Sequence, residues 1–400
     1  MKNNSFELLR VAKATLGKMR RTVSVGESEF AALTNRLQSV QASQEARVGE
    51  PRVLLVSSNG AGLGHLSRLL GIANQLSGPT LIYTLSSAYH KTGLSKEEIV
   101  YFPSYGDLGM SGASWNPLLR AHFGAVVKGF CPDVIVFDGT YVYRGVTEVA
   151  RNHRVPLVWI QRGCWKDEVR RASRQVAEPE KFVDFVVIPE DVAIDEDFRV
   201  QGQLQPRRVN PLTVITPSHL KSREEARQEL GLPEGGKLFL IQVGAGVINE
   251  VAETRLIAVE AVKQLGPDWE PVVVNNPLKS SHFNGDVFTI HAFPLASYLR
   301  AFDAAVFAAG YNSVQESVLA TLPAVFVPNP ETKTDDQEKR ALGMDERRLG
   351  IFASTVDQLR AGIISLGDDG LRSELTKRIE RSHFEPGAPQ VAQLLSEFAR

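Results

Sequence analysis

The run Phe302-Asp303-Ala304-Ala305-Val306-Phe307-Ala308-Ala309-Gly310-Tyr311-Asn312-Ser313-Val314-Gln315-Glu316-Ser317 opens as a small, apolar strand, breaks at a glycine and continues with helical periodicity. Gly310 lacks a Cβ, so the backbone there can approach a ligand closely. Asn312 or Ser313 offers a side-chain oxygen to cap the helix. Its free N–H groups and positive dipole end make the turn a site for a diphosphate. Glu316, placed in the first turn, either compensates the dipole or accepts hydrogen bonds from vicinal ribose hydroxyls.

The same alternation extends in both directions. KLFLIQVG, PVVVNN, VFTIHA, AAVFAA and PAVFVPN read as buried parallel strands, with helices near Asn249–Leu265, Ala296–Phe302 and Ser313–Thr321. Upstream, RVLLVSS, TLIYTL, DVIVFDG, PLVWIQ and DFVVIP alternate with helices near Leu66–Leu76, Pro117–Gly129 and Arg144–Asn152. Prolines and polar residues around 203–218 mark the linker between the two series. An α/β protein of two doubly wound domains follows, with a cleft between the carboxyl ends of their strands.

Three further segments lie at strand ends. Ser57-Ser58-Asn59-Gly60-Ala61-Gly62-Leu63-Gly64-His65-Leu66-Ser67-Arg68 follows the first strand, with glycines at alternate positions and a histidine entering the helix. It is not the dinucleotide fingerprint, which needs G-x-G-x-x-G. His65 reads equally as a hydrogen-bonded turn residue and as a general base, its pKa lying near working pH. Gln242–Val247, which contains Gly244, is another small-residue turn into a helix. In Thr334-Asp335-Asp336-Gln337-Glu338-Lys339-Arg340, carboxylates and amides read as a solvated helix start; facing the cleft, Asp336 and Gln337 could instead hold sugar hydroxyls.

Composition narrows the partners. A formal net charge of -1 gives no reason to expect nucleic acid. Two cysteines, Cys131 and Cys164, make neither a disulfide framework nor a zinc cluster, which fits a reducing, cytoplasmic compartment. No window approaches a membrane span, and MKNNSFELLRVAKATLGKMRR is too often broken by charge for a signal peptide. Leu8, Val11, Ala12, Leu16 and Met19 recur at helical spacing beside Arg10, Lys13, Lys18, Arg20 and Arg21. Residues 1–48 therefore read as a helical arm that packs on its own domain or a second subunit, or rests on an anionic membrane.

Taken in order over roughly residues 51–365, these motifs resemble the GT-B glycosyltransferases, and within them family 28, which includes the bacterial N-acetylglucosaminyltransferase that completes lipid II. IHAFPLASYLRAFDAAVFAAGYNSVQESVLATLPAVFVPN is similar to the family's donor-binding block, and TDDQEKRA to its following Asp-Gln-x-x-x-Ala segment. The resemblance implies Phe293 beside the nucleobase, and Gly310, Asn312 and Ser313 facing the diphosphate. It implies Glu316 on the ribose and Asp336 with Gln337 on the donor sugar. Gly62, Gly64 and His65 match a loop across the cleft, and Gly244 the start of a second phosphate-side loop. Ala309 is a departure, since the lipid II enzyme has an arginine ahead of the turn glycine.

The resemblance also implies the chemistry. The expectation is a GT-B glycosyltransferase that moves a hexosyl or N-acetylhexosaminyl group from a nucleotide diphosphate sugar, UDP-linked by preference, to an acceptor hydroxyl, without metal or cofactor. His65 is the candidate base and Asp138 its orienting partner, or else a turn or N-cap residue. Arg162 and Arg68 are acceptor or phosphate contacts, or surface salt bridges. The acceptor stays unidentified; its loops are Ser104–Pro117 and Gln161–Arg174. The domain reading is an arm over 1–48, an acceptor domain over 49–210, a donor domain over 211–383, and a helix over 384–400 returning to the first domain. The expected location is cytoplasmic, either free or peripheral to the inner face of the membrane. The same fold could also serve a nucleotide-sugar epimerase or hydrolase, or a non-catalytic nucleotide-sugar-binding module.

Overall fold

The computed structural model describes residues 50–58, 63–95, 98–161, 164–195, 203–243, 248–275 and 287–399. The arm expected over 1–48, and with it Gly62, Arg162 and Gly244, lies outside these residues.

The amino-terminal lobe is a parallel sheet of seven strands. They are β1 (Val53–Ser57), β2 (Thr80–Thr84), β3 (Ile99–Tyr101), β4 (Val134–Asp138), β5 (Leu157–Ile160), β6 (Phe185–Pro189) and β7 (Arg207–Val209). Their order across the sheet is β3-β2-β1-β4-β5-β6-β7. Helices α1 (Gly64–Ala73), α2 (Gly112–Phe130) and α3 (Arg144–His153) cross between strands, and short helices α4 (Asp167–Ala172) and α5 (Arg174–Ala177) follow β5. The central strands bury every residue, so a continuous apolar run rather than an alternating one is what both covered faces demand.

The carboxyl-terminal lobe repeats the plan with six strands. After α6 (Arg223–Leu230) come β8 (Lys237–Gln242), α7 (Ile248–Lys263), β9 (Trp269–Val274), β10 (Phe288–Ile290) and β11 (Ala304–Ala308). Then come α8 (Tyr311–Leu319), β12 (Ala324–Val327), α9 (Gln337–Glu346), β13 (Ile351–Phe352), α10 (Val356–Ser365) and α11 (Asp369–Glu380). The order is β10-β9-β8-β11-β12-β13, again all parallel. A final helix, α12 (Ala388–Phe398), leaves this lobe and packs on α1, with Val391 and Leu395 in the first lobe's core and Phe398 stacked on Phe185 at 3.9 Å.

The expected pair of doubly wound domains is thus present. Differences are local. The stretch read as linker contains β7, which extends the first sheet's edge by three residues, too few to carry a periodic signal. β3 and β13 escape a sequence reading for the same reason. Helix α2 starts at Gly112, where Ser111 accepts a hydrogen bond from the Ser114 amide, so the loop expected to run to Pro117 is shorter.

The segments joining the lobes are clamped by glycine. A carbon added at Gly71 would lie 2.1 Å from the Thr213 carbonyl oxygen, and one at Gly343 would lie 2.0 Å from that of Ala193. No side chain fits either contact without moving backbone. Gly71→Ala and Gly343→Ala are each expected to destabilise the protein by about 1–3 kcal/mol. Calorimetric melting would show this, and wild-type melting of both variants would contradict it.

Candidate active site between the lobes

In each sheet the strand order reverses beside one strand, and side chains at that point open onto a crevice. In the first lobe the reversal lies between β1 and β4, whose last residues Ser57 and Asp138 are paired in register. Helix α1, carrying Gly64, His65 and Arg68, starts just beyond β1. In the second lobe it lies between β8 and β11, and the turn at Gly310 leads from β11 into α8. The two reversal points face one another: Asn312 Nδ2 donates to the Gly64 carbonyl at 3.1 Å.

The first lobe supplies a compact charged group. Asp138 is fully buried at the end of β4. Its Oδ1 lies 2.7 Å from His65 Nδ1 and accepts from Arg68 Nη2 at 2.6 Å, while Oδ2 accepts from Arg68 Nε at 2.8 Å. Burial opposes a charge on Asp138, but Arg68 and the His65 hydrogen bond outweigh it and hold the carboxyl at about 2. His65 and Arg68 stand one turn apart on α1, so both reach the same carboxylate. Arg68 is itself buried, which sets aside the surface-pair alternative, and Asp138 is neither a turn nor an N-cap residue.

The second lobe departs from expectation in two details. Gly310 is the residue before α8, and no side chain caps that helix. Asn312 instead spends its amide on the other lobe, accepting from Arg68 Nη1 at 2.9 Å and donating to Gly64. Glu316 lies in the second turn, not the first. Glu316 is partly exposed, with its carboxyl near Arg68 and the Val214 amide; desolvation outweighs both and pushes it up to about 8. Gly310 and Gln337 come together, since a carbon on Gly310 would stand 4.0 Å from Gln337 Nε2. Gln337 Oε1 accepts from the Asn329 amide at 3.0 Å, and Asp336 caps α9 by accepting from the Lys339 amide. Ser313 sits in the first turn of α8, and Phe293 packs partly buried against the core beneath the cleft.

Sequence reasoning missed the group behind this turn. Arg340, fully buried, donates to Asp191 at 2.6 Å, to both oxygens of Asp335, and to the Ala309 carbonyl at 3.1 Å. Asp191 also accepts from Gln315 at 2.8 Å. The one available signal was the spacing of Arg340 with Met344, which puts the arginine on an inward helix face. Next to this group, Trp165 and Asp335 form an antiparallel bridge between lobes, and the Asp336 amide donates to the Cys164 carbonyl at 2.9 Å.

No family model matches the chain. A curated relative from Symbiobacterium thermophilum is 27% identical over 286 residues, 68% of this chain and 71% of that protein. Another, from Desulforamulus reducens, is 23% identical over 281 residues, 66% of this chain and 73% of that protein. Both are named UDP-N-acetylglucosamine--N-acetylmuramyl-(pentapeptide) pyrophosphoryl-undecaprenol N-acetylglucosamine transferase. Among solved structures, MurG of Acinetobacter baumannii superposes with a TM-score of 0.54 at 17% identity, covering 87% of this chain and 100% of that one. The spinosyn rhamnosyltransferase SpnG gives a TM-score of 0.60 at 16% identity, covering 86% and 99%. The fold is therefore GT-B, the resemblance to family 28 is supported by curated relatives, and the chain is a glycosyltransferase of GT-B type.

The raised pKa of the Glu316 carboxyl makes stability depend on pH with a definite sign. Its pKa rises on folding, so the stability it confers is complete below about 4.5 and is lost as pH rises through about 8. Glu316→Gln should melt several degrees above wild type at pH 9, and the difference should close toward pH 4.5. A gap that is constant across this range would refute the raised carboxyl pKa.

Proposed function

We propose that this protein transfers a hexosyl or N-acetylhexosaminyl group from a UDP-linked sugar to an acceptor hydroxyl, with His65 as the base and without a metal ion. The observation that carries this reading is the meeting of the His65–Asp138 pair of one lobe with the Gly310–Asn312 turn of the other, through Arg68 and Gly64. The curated relatives, named for a UDP-N-acetylglucosamine donor and an undecaprenol-linked acceptor, support the donor and suggest a lipid-linked acceptor. Among the described residues no helix is long and apolar enough to cross a membrane, so such an acceptor would be met at a surface.

The chemistry follows from the arrangement. With Nδ1–H donating to Asp138, the imidazole presents Nε2 as a lone pair that takes the acceptor proton during attack on the anomeric carbon. Asp138 stabilises the imidazolium that forms. The departing diphosphate meets the N-terminus of α8, where the first-turn amides of Asn312 and Ser313 have no helical partners and the Gly310 amide is spent on the Ala308 carbonyl. Glu316 holds the ribose, Phe293 lies beside the base, and Asp336 and Gln337 hold the sugar. Preformed dipoles of this kind replace the Lewis acid used in other transferases. Among the described residues no group of three His, Cys, Asp or Glu side chains is gathered as a metal would require.

Uridine diphosphate should raise the melting temperature, as any ligand of the native state does, and a chelator should leave that rise intact. His65→Ala should lower turnover about 10²–10⁴-fold while keeping calorimetric affinity for uridine diphosphate. Glu316→Ala should weaken that affinity. Near-wild-type transfer by His65→Ala removes the base assignment, and absence of any nucleotide effect removes the donor site.

A further inference from the structure

We infer that Arg68 ties the strength of the His65 base to occupancy of the donor turn: its guanidinium shares the Asp138 carboxylate with the imidazole and yields it when a diphosphate arrives at Gly310–Ser313. This inference rests on the donor-site reading above.

Asp138 Oδ1 serves two donors, His65 at 2.7 Å and Arg68 Nη2 at 2.6 Å. Arg68 Nη2 is also 2.8 Å from His65 Nδ1. A cation so near the imidazole opposes its protonation, and it draws on the same negative charge that would stabilise the imidazolium. Among the described residues, the charged and titratable groups facing Arg68 from the surrounding elements are Asp138, Glu316, Tyr311 and Asp335. Glu316 adds little charge, because desolvation raises its carboxyl to about 8, and Asp335 is paired with Arg340. Asp138 and Arg68 cancel, so a proton on His65 leaves the buried group with a net positive charge. In the free protein Arg68 therefore works against an imidazolium at His65.

Arg68 already reaches the donor turn. Its Nη1 donates to Asn312 Oδ1 at 2.9 Å, a neutral acceptor on the first turn of α8. A diphosphate at that helix end is a stronger, charged acceptor for the same N–H groups. As the guanidinium turns toward it, Asp138 Oδ1 is left to His65 alone, and the added negative charge favours the imidazolium. Base strength then rises only when a donor is in place. Arg68 is a positioning residue in this scheme, acting through Asp138.

The test is a nuclear magnetic resonance titration of His65 in the full chain, its signal assigned with His65→Asn, with and without uridine diphosphate. In wild type the nucleotide should raise the His65 midpoint by about 1 unit. In Arg68→Gln the free protein should already show a raised midpoint, and the nucleotide should add less than half the wild-type shift. Arg68→Lys, which keeps the charge and loses the paired geometry, should fall between them. Nucleotide binding with an unmoved wild-type midpoint overturns this inference alone, as does an unchanged or lowered midpoint in free Arg68→Gln. Should Arg68→Gln fail to fold, the wild-type titration and Arg68→Lys decide. Failure of uridine diphosphate to bind removes the donor-site reading and this inference with it.

Discussion

A carboxylate with no access to water has to be paired, and the desolvated Asp138 organises much of what surrounds it. Its place is set by the in-register pairing of β1 with β4, which leaves the side chain at the point where the strand order reverses. Burial there is tolerable because Arg68 meets it with two N–H groups. The guanidinium is itself buried, so its remaining N–H groups also need acceptors, and the nearest suitable one is Asn312 of the opposite lobe. One desolvated charge thus leads, step by step, to an alignment of two domains.

The second buried arginine closes the other side. Both guanidinium groups lie over the Tyr311 ring, Arg68 at 5.5 Å and Arg340 at 5.9 Å from its centre. The Tyr311 hydroxyl donates to the Glu190 carbonyl and accepts from the Leu212 amide, so the first residue of α8 is fixed to the chain on both sides of β7. Arg340 holds the carbonyl of Ala309 and the side chain of Asp335, which places the Gly310 turn and the Asp336–Gln337 pair in one rigid frame. Removing one partner from such a frame leaves an uncompensated charge, whereas exposed pairs such as Arg144 with Glu148 contribute little.

Much of this was legible in the residues. Apolar runs of five or so residues between helical stretches announce parallel strands, because both faces of such a sheet are covered. His65, Asp138, Gly310 and Asn312 were legible as candidates since each stands at the end of a strand or in the turn or helix start that follows one. What the sequence could not convey was partnership across distance. Arg68 and Asn312 are 244 positions apart, and nothing local says that one side chain ends on the other. Arg340 sits in a run of charges that reads as solvated, and only the fold shows that Asp191 and Asp335 converge on it. Asn312 likewise looked like a cap, but its amide was claimed by a neighbour that only tertiary structure supplies.

Helix α12 carries a consequence for biogenesis. Val391, Leu395 and Phe398 complete the apolar layer beneath β1 and β6, yet they are synthesised after the whole second lobe. While a ribosome is still making that lobe, the first one has an open apolar face where these side chains will dock. Its consolidation therefore waits until α12 has been made, and the two lobes become stable together rather than in the order in which they emerge.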